Sequence, residues 1–133
     1  MIHPAFRLRG IFGSALAQLE EYERSLFAAG KFEAYKQDIL RGIGTPAGDA
    51  ESVIRRLTVP HHIDFWRLPR VAGEYLRYGY ALDGYSKEVL VDRGYVTRDA
   101  NERELSFALR KNHGQLRGYI LCVLTKPWVQ EEI

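Results

Sequence analysis

His61 and His62 stand side by side, with Asp64 two residues on. Imidazole and carboxylate are ligands for zinc and other transition metals. Neighbouring histidines cannot share one helix face, so a metal site would need further ligands, and His3 and His113 are the only other histidines. His62 and Asp64 could instead form an acid–base pair in which the carboxylate orients the ring. The competing reading is a loop in which one histidine caps a backbone group and the other is solvated. The pattern fixes no geometry, so His61, His62 and Asp64 are weak metal or acid–base candidates, and no metal, cofactor or catalytic residue is expected.

The same stretch, Pro60 to Tyr85, is dense in side chains suited to recognition. Phe65, Trp66, Arg67, Arg70, Arg77 and Tyr78 are of the types that dominate protein interfaces. They also suit stacking on bases and contact with phosphates. Against this, Trp66, Tyr75 and Tyr80 could be core residues with the arginines solvated around them.

A faint helix-turn-helix is a third pattern. Pro69 to Gly79 would be its first helix, Asp83-Gly84 its turn and Ser86 to Gly94 its recognition helix. Lys87, Arg93, Arg98 and Arg103 would then contact phosphates. The connection is longer than that motif usually allows, and the charge is modest. Residues 55–126 carry 13 Lys and Arg against 8 Asp and Glu, within a chain of net charge +2. Arg outnumbers Lys by 14 to 5, a bias that guanidinium chemistry or a GC-rich genome would equally explain.

A chain of 133 residues predicts one domain with a hydrophobic core of its own. Two Trp, eight Tyr and six Phe argue against disorder. The lone cysteine, Cys122, cannot form an internal disulfide, and its apolar neighbours mark it as a buried small hydrophobe. No run is long and apolar enough to span a membrane, and the N-terminus lacks a secretory apolar region. A cytoplasmic location without a membrane partner is the expectation.

The elements that would position these groups are mostly helical. Residues 1–13 read as an extended apolar arm, because Pro4, Gly10 and Gly13 discourage helix. Ser14 to Ala29 reads as a helix burying Leu16, Leu19, Tyr22, Leu26 and Phe27 and exposing Glu20, Glu21, Glu23 and Arg24. Gly30 stops it, and a second helix, Lys31 to Arg41, buries Phe32, Tyr35, Ile39 and Leu40. Gly42 to Gly48 is a connecting loop; it lacks the lysine and spacing of a phosphate-binding loop. Asp49 caps a third helix, Ala50 to Leu57. Pro69 opens a helix to about Tyr78, and Ser86 caps a short one from Lys87 to Arg93. Asp99 caps Glu102 to Asn112, and Gln115 to Thr125 forms a final buried helix.

The expected fold is thus mostly α, a bundle of about five to six short helices. The alternative is α+β: Leu105, Phe107 and Leu109 alternate, so the C-terminal part could form antiparallel strands with Val89 to Val96 and Leu116 to Thr125. The expected function is a non-catalytic protein-interaction or assembly protein, a homodimer. Its contact surfaces would be the arm and the Arg/aromatic centre. A nucleic-acid-binding regulator and a small metal-dependent or acid–base enzyme are the alternatives.

Overall fold

The computed structural model describes residues 4–44, 49–111 and 120–129, residues 4–11 by their backbone alone. Among them the fold is mostly α with a small antiparallel sheet. In chain order the elements are α1 (Pro4–Ala28), α2 (Phe32–Ile43), α3 (Asp49–Arg55), β1 (His61–Trp66), α4 (Pro69–Leu76), β2 (Ala81–Leu82), α5 (Gly84–Asp92), α6 (Glu102–Lys111) and β3 (Cys122–Pro127).

The sheet order is β1-β3-β2, with β3 antiparallel to both neighbours. Side chains alternate across a strand, so the sheet has two faces of different partners. Ile63, Phe65 and Val123 pack with Phe32, Tyr35, Ile43, Ala50 and Ile54 of α2 and α3. Cys122 and Leu124 pack with Tyr75, Leu76, Leu90, Leu105 and Leu109 of α4, α5 and α6. Helix α1 joins the two cores, since Leu16 lies in one and Phe27 in the other.

The expected final helix is not what forms. Cys122–Pro127 is the central strand, and residues 115–119 lie outside the described residues. A strand covered on both faces reads as a continuous apolar run, which a buried helix also does. The α+β alternative places a strand over Leu116 to Thr125, which β3 meets in part; strand β1 is in neither reading. By contrast, the alternating Leu105, Phe107 and Leu109 do form a helix, because α6 buries Leu105 and Leu109 and leaves Phe107 exposed. A strand would have put all three on one side.

The extended arm is also corrected: α1 begins at Pro4. Proline is tolerated in a first turn, where its missing N–H has no helical partner. Gly13 is a contact point rather than a breaker. A Cβ there would stand 3.0 Å from the Tyr78 hydroxyl.

Caps differ in detail. Asp83, not Ser86, is the N-cap of α5; its carboxylate accepts from Ser86 N–H at 3.0 Å. It also accepts from Val123 N–H at 2.9 Å, tying α5 to β3. Asn101, not Asp99, serves α6 by accepting from Glu104 N–H at 2.8 Å. Pro69 at the start of α4 is as expected.

Candidate functional site

The largest departure from expectation is the rotation of α1. Leu19 and Tyr22 are 41% and 62% exposed, while Glu20 and Glu23 are 7% and 3% exposed. The inward face is Leu16, Glu20, Glu23 and Phe27, a 4-3-4 spacing that is itself helical. Two carboxylates therefore enter the interior in place of two apolar side chains.

What receives them is a matched pair on the sheet. His62 of β1 and Lys126 of β3 are cross-strand partners. Such partners lie about 5 Å apart at Cβ, close to the separation of residues three apart on a helix. The two glutamates thus land one on each strand. Glu23 Oε1 meets His62 Nδ1 at 3.0 Å, and both Glu20 oxygens lie 3.2 Å from Lys126 Nζ. A carboxylate only accepts, so His62 Nδ1 carries the proton.

Three tyrosines complete this polar layer. Tyr35 donates to Glu23 Oε2 and accepts from Ile63 N–H at 2.8 Å. Tyr80 donates to Glu20 Oε2 at 3.0 Å. Tyr75 donates to Asp64 Oδ2, whose other oxygen accepts from Phe65 N–H at 2.8 Å. Burial first, and then the neighbouring carboxylates, push all three phenols well above the usual tyrosine value. A hydrogen bond from Trp66 partly offsets this at Tyr75.

Chemically this layer is closed. Among the described residues no buried side-chain nitrogen or oxygen lacks a partner, so none is left to seek a ligand. Phenols held protonated in this way are neither bases nor nucleophiles at neutral pH. Burial, and then Asp83, raise the Cys122 thiol to about 12, which makes it inert. The layer reads as a device for seating α1 on the sheet.

The histidine cluster is split by the strand. His62 points to Glu23, whereas His61 Nδ1 lies 2.8 Å from the Val59 carbonyl oxygen. Asp64 engages Tyr75 rather than His62. No group of three His, Cys, Asp or Glu that could hold a metal occurs among the described residues. His3 and His113 lie outside them.

The Arg/aromatic residues divide in two. Phe65 is half-buried in the α2 side of the core. Trp66 (37% exposed) and Leu68 (49% exposed) project at the corner between β1 and α4. Arg67 is anchored there through Nη2 to the Ile43 carbonyl at 3.0 Å, and Arg70 is exposed on the first turn of α4. Tyr78 lies at the other end of α4, its ring 5.6 Å from that of Phe12. Arg77 beside it pairs with Glu74 at 3.2 Å.

Of the basic set, Lys87 donates to the Ala100 carbonyl at 3.0 Å and Arg98 pairs with Glu88 at 2.6 Å. Arg93 and Arg103 are exposed. The two helices that would make the helix-turn-helix, α4 and α5, have strand β2 between them.

Elsewhere, an open cleft of about 580 Å³ lies between α3 and the start of α5, lined by Asp49, Val53, Arg56, Gly84 and Tyr85. No helix among the described residues is long and apolar enough to cross a membrane. Comparison of the chain with protein-family profiles, curated proteins and solved structures finds no match.

Sequence reasoning missed Glu20, Glu23, Tyr35 and Lys126. The one available signal was the shared helical face of Leu16, Glu20, Glu23 and Phe27.

Proposed function

We propose that this is a non-catalytic protein-interaction or assembly protein, acting in the cytoplasm, whose partner docks on the corner between β1 and α4. The observation that carries the reading is the exposure of Trp66 and Leu68 beside Arg67 and Arg70 at this corner. Trp and Arg are the side chains whose burial at an interface contributes most. The corner is held by Pro69, which is buried at the start of α4, and by the Arg67 bond to α2. A pre-ordered surface loses little entropy on binding. The polar interior, in which no buried side-chain nitrogen or oxygen of the described residues lacks a partner, supports a structural rather than a reactive role for the other candidate groups.

The test is isolation of the protein from its native host, followed by size-exclusion chromatography with light scattering. A discrete complex is expected from the wild-type chain, with loss of the partner from Arg70→Glu at unchanged Tm and from Trp66→Ala with the fold retained at a lower Tm. Partner retention by both variants removes the reading. Unfolding of both would mean that these residues are core and would also remove it. A co-purifying species absorbing at 260 nm that added salt strips away would favour nucleic-acid binding instead.

A further inference from the structure

The open cleft between α3 and the start of α5 holds two opposite charges that nothing else in the fold answers. Asp49, Val53 and Arg56 line one wall at a 4-3 spacing, so they share one face of the helix. Arg56 stands just past the end of α3 and still follows its path, since its N–H bonds to the Ser52 carbonyl at 3.2 Å. The Asp49 carboxylate has no hydrogen-bond or ion-pair partner among the described residues. Arg56 donates from Nε to the Ser52 carbonyl at 3.2 Å, and among the described residues it meets no carboxylate. The nearby charges are already engaged: Arg55 pairs with Glu51 at 2.8 Å, and Asp83 serves Ser86 and Val123. Nor do Asp49 and Arg56 satisfy each other, because seven positions along a helix hold them about 10 Å apart.

Between the two charges the cleft is apolar. Val53 is half-buried on the α3 wall, and Tyr85, 55% exposed, supplies an aromatic ring from the other. Gly84 keeps that second wall open, since a Cβ there would meet nothing within 4 Å. Its φ lies outside the left-handed region, so neither packing nor backbone conformation calls for glycine.

We infer that this cleft binds a short peptide with free ends, its ammonium group at Asp49 and its carboxylate at Arg56. A zwitterion answers both charges at once, whereas a simple anion is repelled by Asp49 and a simple cation by Arg56. An extended chain advances about 3.3 Å per residue, so about three residues span the two charges. The guanidinium fork matches a terminal carboxylate, and Val53 and Tyr85 flank the central side chain. A volume of about 580 Å³ lies within the range of small-ligand sites. The cleft shares no residue with the β1–α4 corner, so either can fail without the other.

The test is an amide chemical-shift titration of the whole chain with the tripeptide alanyl-leucyl-alanine. Saturable shifts at Val53, Arg56, Gly84 and Tyr85 are expected, with a Kd on the order of 1 mM. Acetylating the peptide's amino end, or amidating its carboxyl end, should each weaken binding about fivefold. In the Asp49→Asn chain acetylation should then cost nothing further, and in the Arg56→Gln chain the same holds for amidation. Gly84→Leu should fill the cleft and abolish binding with the fold retained, because its side chain starts in open space. The inference is overturned by no shifts at millimolar peptide, by end caps that leave affinity unchanged, or by a cap effect that persists in its matching variant. A folded Gly84→Leu chain that binds as tightly as the wild type overturns it as well.

Discussion

Glu23 of α1 and His62 of β1 meet through a 3.0 Å contact between Oε1 and Nδ1, both side chains inside the protein. With Glu20 on Lys126 of the facing strand, this contact decides which side of α1 is turned inward. The prediction is that Glu23→Ala destabilises the fold by about 3–5 kcal/mol, because it leaves His62 and Tyr35 without their buried acceptor. Glu23→Gln should cost less, since one acceptor oxygen remains. Urea denaturation at neutral pH, with unchanged m-value, measures both.

Alkaline pH should weaken the protein. Tyr35, Tyr75 and Tyr80 all bind their protons more tightly folded than unfolded. A raised folded pKa gives stability that is complete below the unfolded value and is lost as pH climbs above it. The loss should therefore set in near the ordinary tyrosine value of about 10. Cys122, raised from 9.0 to about 12, adds a smaller loss from slightly lower pH. Each proton contributes about 1.4 kcal/mol per pH unit, so the combined slope should be several times that. Denaturation midpoints across this range, with tyrosinate absorbance followed in parallel, test it. Tyrosines that ionise at ordinary pH without unfolding would refute it.

Asp83 serves two elements at once. Its carboxylate caps α5, accepts from Val123 N–H of β3 and binds the Ser86 hydroxyl at 2.6 Å. Asp83→Ala removes the cap and leaves the Ser86 and Val123 N–H groups unmet, for a loss of about 2–3 kcal/mol. Amide exchange at Val123 should accelerate more than at Leu109. Asp83→Asn should retain part of the stability.

Gly73 lies where α4 and α6 cross. A Cβ there would stand 3.0 Å from both Leu109 Cβ and Arg110 Cγ and 3.2 Å from the Ser106 carbonyl oxygen. Alanine gains about 1 kcal/mol of helix propensity over glycine. Crowding in a packed core costs about 1–3 kcal/mol, and backbone on one side limits relief. Gly73→Ala should therefore lower Tm, which a thermal melt would show.

The helices were legible wherever local chemistry sets them. Pro69 begins α4, and Gly30, at φ 75°, follows α1 as the sequence suggests. What was hidden depended on distant residues. Nothing near Glu20 announces Tyr80 or Lys126, which lie 60 and 106 positions away and make its burial tolerable. Without them the helix rule turns Leu19 and Tyr22 inward. Strand β3 was obscured because burial on both faces erases alternation. In β1 the alternation exists, with Ile63 and Phe65 on one side, but His62 and Asp64 on the other gave it the look of a polar loop. The Trp66 and Arg70 corner was visible by composition, whereas its separation from Tyr78 and Arg77 needed the path of α4.

Among the described residues, finally, both edge strands of the sheet are blunted. On the outer side of β1 the Tyr35 hydroxyl, which donates to Glu23, accepts from the Ile63 N–H at 2.8 Å. On the opposite side β2 lasts two residues before Asp83 turns the chain into α5. An open strand edge can template pairing with another chain, and here a phenol engages one edge and an early turn shortens the other. Tyr35→Phe would reopen the β1 side, so its signature would be a rise in thioflavin-positive aggregation on storage beyond what its loss of stability accounts for.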